Sequence, residues 1–338
     1  MKRFLATLLL LAAPTFAADG TLDIYWIDVE GGAATLIVTP KGETVLMDAG
    51  WPGFDGRDPK RIVNVLEHVA GKDRINYFIT SHFHTDHIGG LPGLAKMVTI
   101  EHFVDHGDSV EKDTEGGKKL WDAYVATADG RRMQIKPGDK LPLQGLNFEF
   151  VAARSKFLAK PLKGGKKNPL CAGATKKALD EGENGKSVGF IVRQGKFEFL
   201  DLGDLSWNYE LELACPANLL GEIDLYQVTH HGMDMSGAPA HINAIKPMVA
   251  VMNNGHRKGG RPETYKTLTE SPSLVDLWQV HKALVPEGAP NTDEKMIANL
   301  EATDEGDKGN WIRASVKPNG EFTVTNSRNN YSKTYKPR

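Results

Sequence analysis

The run Ile75-Asn76-Tyr77-Phe78-Ile79-Thr80, followed at once by Ser81-His82-Phe83-His84-Thr85-Asp86-His87, decides how this chain is read. The first half is a compact apolar strand. The second places four metal-competent side chains, His82, His84, Asp86 and His87, directly behind it. Imidazole suits Zn, Fe or Mn, and the carboxylate makes a mixed nitrogen and oxygen donor set. A tight turn after a strand aims His82 and His84 one way and Asp86 with His87 another, which suggests two neighbouring ions. A solvated histidine-rich loop is the alternative; the density of donors and the pair Gly89-Gly90 behind them weigh against it. His68, His102, His241 and His281 lack a partner motif and read as solvated or capped surface residues.

Outward from this strand the chain alternates strands and helices. Leu22 to Val29, Ala34 to Thr39 and Thr44 to Asp48 read as strands, the last two joined by Pro40-Lys41-Gly42-Glu43. Ile62, Val63, Val65, Leu66 and Val69 fit one face of a helix closed by Gly71. Pro92 to Val98 and Gly117 to Thr127 read as helices, and Thr99 to Asp105, Arg132 to Ile135 and Leu146 to Ala152 as strands. Ser187 to Arg193 with Lys196 to Asp201 forms a hairpin. Asp224 to Thr229 and Met248 to Met252 are buried-type strands, and Trp311 to Val316 with Glu321 to Thr325 closes the chain around Pro318-Asn319-Gly320. This order is that of an α/β layer fold. Residues 155–183, rich in lysine and without periodicity, read as a surface insertion, and the chain after about 262 as a C-terminal extension of a single domain over 18–338.

Three further strands end in ligand-type residues. Val45 to Met47 leads into Asp48-Ala49-Gly50, Phe197 to Leu202 into Gly203-Asp204, and Leu225 to Thr229 into His230-His231-Gly232. In an α/β sheet functional groups gather where strands end, so these ends can converge with the His82 loop. Taken singly, a carboxylate before a glycine is commonly a turn or helix cap.

The 338 residues, 40% hydrophobic and 25% charged, are ordinary globular material, and 41 Lys+Arg against 43 Asp+Glu leave no global field to recruit nucleic acid or an anionic membrane. Lys2-Arg3, the apolar run Phe4 to Ala13 and Thr15-Phe16-Ala17 read as a signal peptide over 1–17, so the mature chain is expected to be periplasmic or secreted, with no membrane association after cleavage. In such a compartment Cys171 and Cys215 are either a disulfide or two buried thiols. Neither a Gly-x-Ser-x-Gly elbow nor a phosphate-binding Walker loop occurs.

The ordered set Asp48-Ala49-Gly50, His82-x-His84-x-Asp86-His87, Gly203-Asp204 and His230-His231-Gly232 resembles the metallo-β-lactamase-fold hydrolase superfamily. Asp28-Val29-Glu30-Gly31-Gly32-Ala33, Ser187-Val188 and Val228-Thr229-His230-His231-Gly232 resemble, within it, the hydrolase domain of the DNA-uptake competence protein family. The resemblance spans about Leu22 to Asn254. It implies a four-layer αβ/βα sandwich carrying two divalent ions on one edge, zinc first, with Mn or Fe as alternatives. His82 and His84 would hold one ion. Asp86, His87 and one of the later pair, His231 in preference to His230, would hold the other, with Asp204 bridging. His230 would act as a neighbouring acid, orienter or substrate contact, and Asp48 as an outer carboxylate. β-Lactamases of this fold carry a further histidine before the bridging residue. Here only His102 and His106 lie between His87 and Asp204, so the first ion has fewer protein ligands, or Asn184 or Ser187 stands near it.

The chemistry implied is hydrolysis by a metal-bound hydroxide, with Asp86, Asp204 and His230 as catalytic residues, on a phosphodiester or another small-molecule or anionic ester. A lactonase or β-lactamase activity and a catalytically idle metal-binding module are the alternatives. Asn254, His256, Arg257, Lys258 and Arg261 after Met252 would form a basic rim for an anion, with His106 and Asp108 as further contacts; a solvated basic loop is the competing reading. A nucleic-acid groove should also offer stacking aromatics, and the lysine-rich insertion contains only Phe157.

Overall fold

The computed structural model describes residues 20–285, 288–301 and 308–338. The signal-peptide assignment to 1–17 lies outside them. The first half of the chain forms β1 (Leu22–Trp26), β2 (Thr35–Val38), β3 (Thr44–Met47), α1 (Arg57–Asn64), β4 (Arg74–Ile79), α2 (Thr85–Ile88), α3 (Leu91–Leu94), β5 (Thr99–Asp105), α4 (Glu115–Ala128) and β6 (Arg132–Gln134). The second forms β7 (Lys140–Leu141), β8 (Asn147–Ala153), β9 (Lys156–Phe157), β10 (Gly189–Gln194), β11 (Phe197–Asp201), α5 (Trp207–Ala214), β12 (Leu225–Gln227), α6 (Pro239–Ile245), β13 (Val249–Met252), α7 (Pro262–Thr269), β14 (Asp276–His281) and β15 (Ile297–Asn299). β16 (Ile312–Val316), β17 (Phe322–Asn326) and β18 (Ser332–Tyr335) end the chain.

Two mixed sheets result. One runs β18-β17-β16-β1-β2-β3-β4-β5-β6; the other runs β15-β14-β13-β12-β11-β10-β8-β7, with β9 beside β8. β3 through β6 are mutually parallel, as are β11 through β15, so both sheets present several strand C-termini at one edge. Alternation along each strand splits the core. Trp26, Ile37, Phe148, Phe190, Phe199, Val251 and Trp278 fill the space between the sheets. Leu36, Leu46, Ile62, Phe78, Phe103 and Tyr124 pack the first sheet against its helices, while Leu200, Leu213, Tyr226, Ile242 and Leu268 do so for the second. The layers are helix, sheet, sheet, helix. Trp26 meets Phe199 edge-on at 5.6 Å across the central layer, and a Trp26→Ala change there should cost about 3–5 kcal/mol. The buried Gln227 Oε1 accepts from Trp26 Nε1 at 2.8 Å and Thr35 Oγ1 at 2.7 Å, fixing the end of β12 against β1 and β2.

Several elements differ from the sequence expectation. The helix read through Val69 is α1 followed by a wider π-turn over Val65–Val69, which still buries Val65 and Leu66. The stretch after about 262 is built into both sheets: beyond α7, β14 and β15 continue the second sheet, and β16 returns antiparallel to β1 in the first. The 155–183 insertion is tied down. Cys171 is disulfide-bonded to Cys215, Trp207 Nε1 donates to Thr175 O at 2.8 Å, and Lys177 Nζ lies 3.9 Å from the Trp207 ring centre. His241 and His281 are fully buried rather than solvated. No helix among the described residues is long and apolar enough to cross a membrane.

Candidate metal centre

β4 runs out at Ile79, and the backbone turns at Ser81 and His82 into the short helix α2, whose first turn carries Asp86 and His87. Ser81 is the pivot. Its N–H donates to Asp48 Oδ1 at 2.8 Å and its hydroxyl to Asp48 Oδ2 at 2.5 Å, so the end of β3 holds the end of β4. The same Asp48 Oδ2 is 2.7 Å from His87 Nδ1, which turns Nε2 of that ring toward the middle of the site. This is the arrangement by which an outer carboxylate orients a ligand imidazole. From behind, buried Glu183 accepts from Phe83 N, Ser109 Oγ and Val110 N at 3.0, 2.7 and 2.6 Å, clamping the His82–His87 loop to the turn after β5.

The other sheet contributes through β11 and β12. Asp204 follows the turn at Gly203, and its N–H donates to Ser187 Oγ at 3.2 Å. After β12, His230 (φ 57°) and His231 (φ 55°) both take left-handed backbone, a conformation costly for side chains of this size and found preferentially where function requires it. The strained turn is held by His230 N to Gly203 O at 3.0 Å and Gly260 N to His231 O at 3.0 Å. Gly259 is required beside it, since a Cβ there would fall 2.1 Å from His231 O.

Asp86, His87, Asp204 and His231 each offer a donor atom, all within 4.8 Å of one another, and all four residues are buried. His87 Nε2 lies 3.1 Å from Asp86 Oδ2, 3.2 Å from Asp204 Oδ2 and 3.3 Å from His231 Nε2. His231 Nε2 is 3.4 Å from both carboxylates. His82 Nε2 stands 4.0 Å from Asp204 Oδ2 and 3.0 Å from His84 Nδ1. His230 approaches Asp204 with Nε2 at 3.4 Å, its Nδ1 engaged by Ser236 Oγ at 3.2 Å. Neither Asn184 nor Ser187 approaches the histidines as a donor in these contacts; Ser187 supports the backbone of Asp204 instead.

Electrostatics fit the same picture. Burial pushes Asp86 and Asp204 upward, but His87, His231 and, for Asp86, Lys258 hold both well below the usual carboxylate range. Burial opposes a charged His87, yet Asp204, Asp86 and Asp48 keep its pKa well above the ordinary value. Burial beside His87 and His84 drives His82 well down, and burial takes His230 down to about 4. The centre thus demands positive charge among its carboxylates, and a divalent cation with N/O ligands meets that demand through the same atoms.

The substrate-rim assignments divide. Lys258 reaches the site, its ammonium on Asp86 Oδ2 and 5.4 Å from the Trp51 ring centre. Arg257 is exposed beside it. Three residues do not serve as open contacts. Asn254 is fully buried, donating to His281 O at 2.8 Å and Gly255 O at 3.0 Å, and so braces its own loop. His106 is fully buried with Nε2 3.1 Å from Glu183 Oε2, because β5 turns it behind the metal loop. His256 turns away to Glu30 Oε2 at 2.9 Å. Asp108 is exposed and pairs with Lys112. The sequence reading passed over Ser81 as a hub, and also Glu183, whose partners lie 73 to 100 positions away. Only its place just before the turn that leads into β10 could have drawn attention to it.

Residues 27–162, from the end of β1 through β9, match the family model of the Metallo-beta-lactamase superfamily. Recombination protein 2 of Haemophilus influenzae is 26% identical over 248 residues, 72% of this chain but 25% of that protein. A UPF0173 metal-dependent hydrolase of Polynucleobacter asymbioticus is 29% identical over 194 residues, 57% of this chain and 59% of that protein. The chain therefore spans about a quarter of the first relative's length and three fifths of the second's. Among solved structures, the metallo-beta-lactamase fold protein YhfI of Bacillus subtilis aligns at a TM-score of 0.45 and 13% identity, over 76% of this chain and 96% of that one. The segment from the end of β1 to the loop beyond β9, with the His82–His87 motif inside it, is a metallo-β-lactamase superfamily domain.

Proposed function

We propose that this protein is a metal-dependent hydrolase acting on a phosphodiester or another anionic ester. The observation that carries the reading is the enclosed set Asp86, His87, Asp204 and His231, built from the ends of strands in both sheets. Asp86, His87 and His231 would hold one divalent ion, His82 and His84 a second, and Asp204 would bridge, with zinc the first choice for the N/O donors. Divalent ions in such a set supply Lewis acidity and lower the pKa of water toward neutrality. The chain's own residues do the rest. Asp48 fixes the His87 tautomer by occupying Nδ1. His230, neutral because burial lowers its pKa to about 4, would orient or contact the substrate beside Asp204 rather than carry charge. Lys258, charged and at the mouth of the cluster, would bind the anionic group of the ester, with Arg257 beside it.

The metal-dependent hydrolase name of the Polynucleobacter relative supports the reaction class. The Cys171–Cys215 bond favours an oxidising compartment, in line with the proposed signal peptide and a periplasmic or secreted location. The test is turnover of bis(p-nitrophenyl) phosphate beside a lactone and a β-lactam, by protein loaded with Zn or Mn. Phosphodiester turnover that is lost in Asp204→Ala supports the reading. Turnover confined to the lactam or lactone, or stoichiometric metal without any hydrolysis, contradicts it. Unchanged phosphodiester kinetics in both Arg257→Ala and Lys258→Ala would remove the anion-binding part alone.

A further inference from the structure

Beside the metal centre, two loops and a strand end bring a second group of donors together. Asp28 and Glu30 follow β1, His256 follows β13, and His281 ends β14. Glu30 Oε2 is 2.9 Å from His256 Nδ1 and 3.5 Å from His281 Nε2; Asp28 Oδ1 is 2.7 Å from the same His281 Nε2. Arg61 takes the opposite oxygens, Asp28 Oδ2 at 2.8 Å and Glu30 Oε1 at 3.7 Å. Each carboxylate therefore turns one oxygen to the guanidinium and the other to the imidazoles. The donor atoms of Glu30, His256 and His281 all lie within 4.8 Å of one another, and the side chains of Asp28 and His281 are fully buried.

We propose that Glu30, His256 and His281, with Asp28 as a fourth donor in reach, bind a divalent transition-metal ion at a site separate from the catalytic centre, and that this ion anchors the loop carrying Lys258. Ligands about 2.1 Å from a common ion stand roughly 3 to 4 Å apart; Glu30 with His281 at 3.5 Å has that spacing, while Glu30 with His256 at 2.9 Å and Asp28 with His281 at 2.7 Å are slightly closer and would open a little around an ion. Two imidazoles and two carboxylates select Zn, Co or Mn over Ca or Mg. The link to Lys258 is covalent and short. His256 precedes it by two residues, and Gly255 N donates to Lys258 O at 2.9 Å, closing the turn between them. Gly255 also packs so closely on the β1 loop that a Cβ would fall 2.7 Å from Glu30 O. An ion gripping Glu30 and His256 thus fixes the turn whose other end sets the ammonium on Asp86. Ion binding here does not depend on the hydrolase reading; only its consequence for Lys258 does.

The experiment counts metal on the full chain. Co(II) is titrated into the wild type, His256→Ala and Glu30→Gln, each with and without Asp204→Ala, followed by visible absorption and by elemental analysis after dialysis. We expect His256→Ala and Glu30→Gln each to lose about one equivalent in both backgrounds. Stoichiometry unchanged by His256→Ala and Glu30→Gln within each background overturns the proposal. Cadmium-113 NMR of Asp204→Ala, in which Glu30, His256, His281 and Asp28 are all unmutated, gives a second reading: a resonance that persists from the wild type is expected, and its absence contradicts the site. Loss of about one equivalent in these variants, with no phosphodiester turnover even in the wild type, would count against the proposed hydrolase and leave this site standing.

Discussion

The two ends of the His82–His87 segment are built differently. At its C-terminal end Asp86 and His87 are buried, braced by Asp48 and Ser81, and met by Asp204 and His231 from the other sheet. At its N-terminal end His82 is buried but stands 4.0 Å from Asp204, and His84 is about one third exposed, with Nε2 3.6 Å from Glu111 Oε1. One end is pre-organised by contacts from four strand ends, whereas the other leans on a pair of neighbouring histidines. A donor set already in place loses little entropy on binding, so the tighter ion belongs to the Asp86–His231 side.

The largest expected effect falls on the residue both ends share. Asp204→Ala should bring hydrolysis to background and remove at least one equivalent of metal, measured by turnover and elemental analysis, because among the described residues no other carboxylate is paired with both His82 and His231. Next, His231→Ala should weaken the first equivalent bound, and His84→Ala only the second; a competition titration with a chelator separates them, and the reverse order would break the comparison. Asp48→Asn keeps the shape but weakens the hold on His87, and should reduce metal affinity about 10–100-fold. Wild-type affinity in that variant would mean the outer carboxylate does not orient the ring.

The smallest effect is on stability. Burial would raise Glu183, but His106, Ser109 and the Phe83 N–H hold it down at about 2. A carboxylate with a lowered folded pKa stabilises the protein above its unfolded value, near 4.5, and that contribution fades as pH falls toward about 2. Glu183→Gln should therefore flatten the acid limb of a denaturant-midpoint against pH curve between those values, a change on the order of a few kcal/mol for this buried group. An unaltered limb would show that the clamp on the metal loop is not ionic.

Much of this was written locally. The strand ends at Asp48, Thr80, Leu202 and Thr229 are apolar runs stopping at a polar residue, and the histidine cluster sits in six consecutive positions. What escaped was set by partners far along the chain. His281 reads as a solvated histidine until Asp28, 253 positions earlier, is found 2.7 Å away. His106 looks like a loop residue until Glu183 closes over it. β14 and β15 lie in a stretch where short strands alternate with irregular chain, so no period long enough to recognise develops, and only pairing with β13 defines them.

The central claim is that four strand ends enclose a cation-binding centre. Anomalous X-ray scattering collected at the zinc edge from crystals grown with zinc tests it directly. The account predicts a peak bounded by Asp86, His87, Asp204 and His231; zinc found elsewhere on the protein with nothing among those four side chains would contradict it.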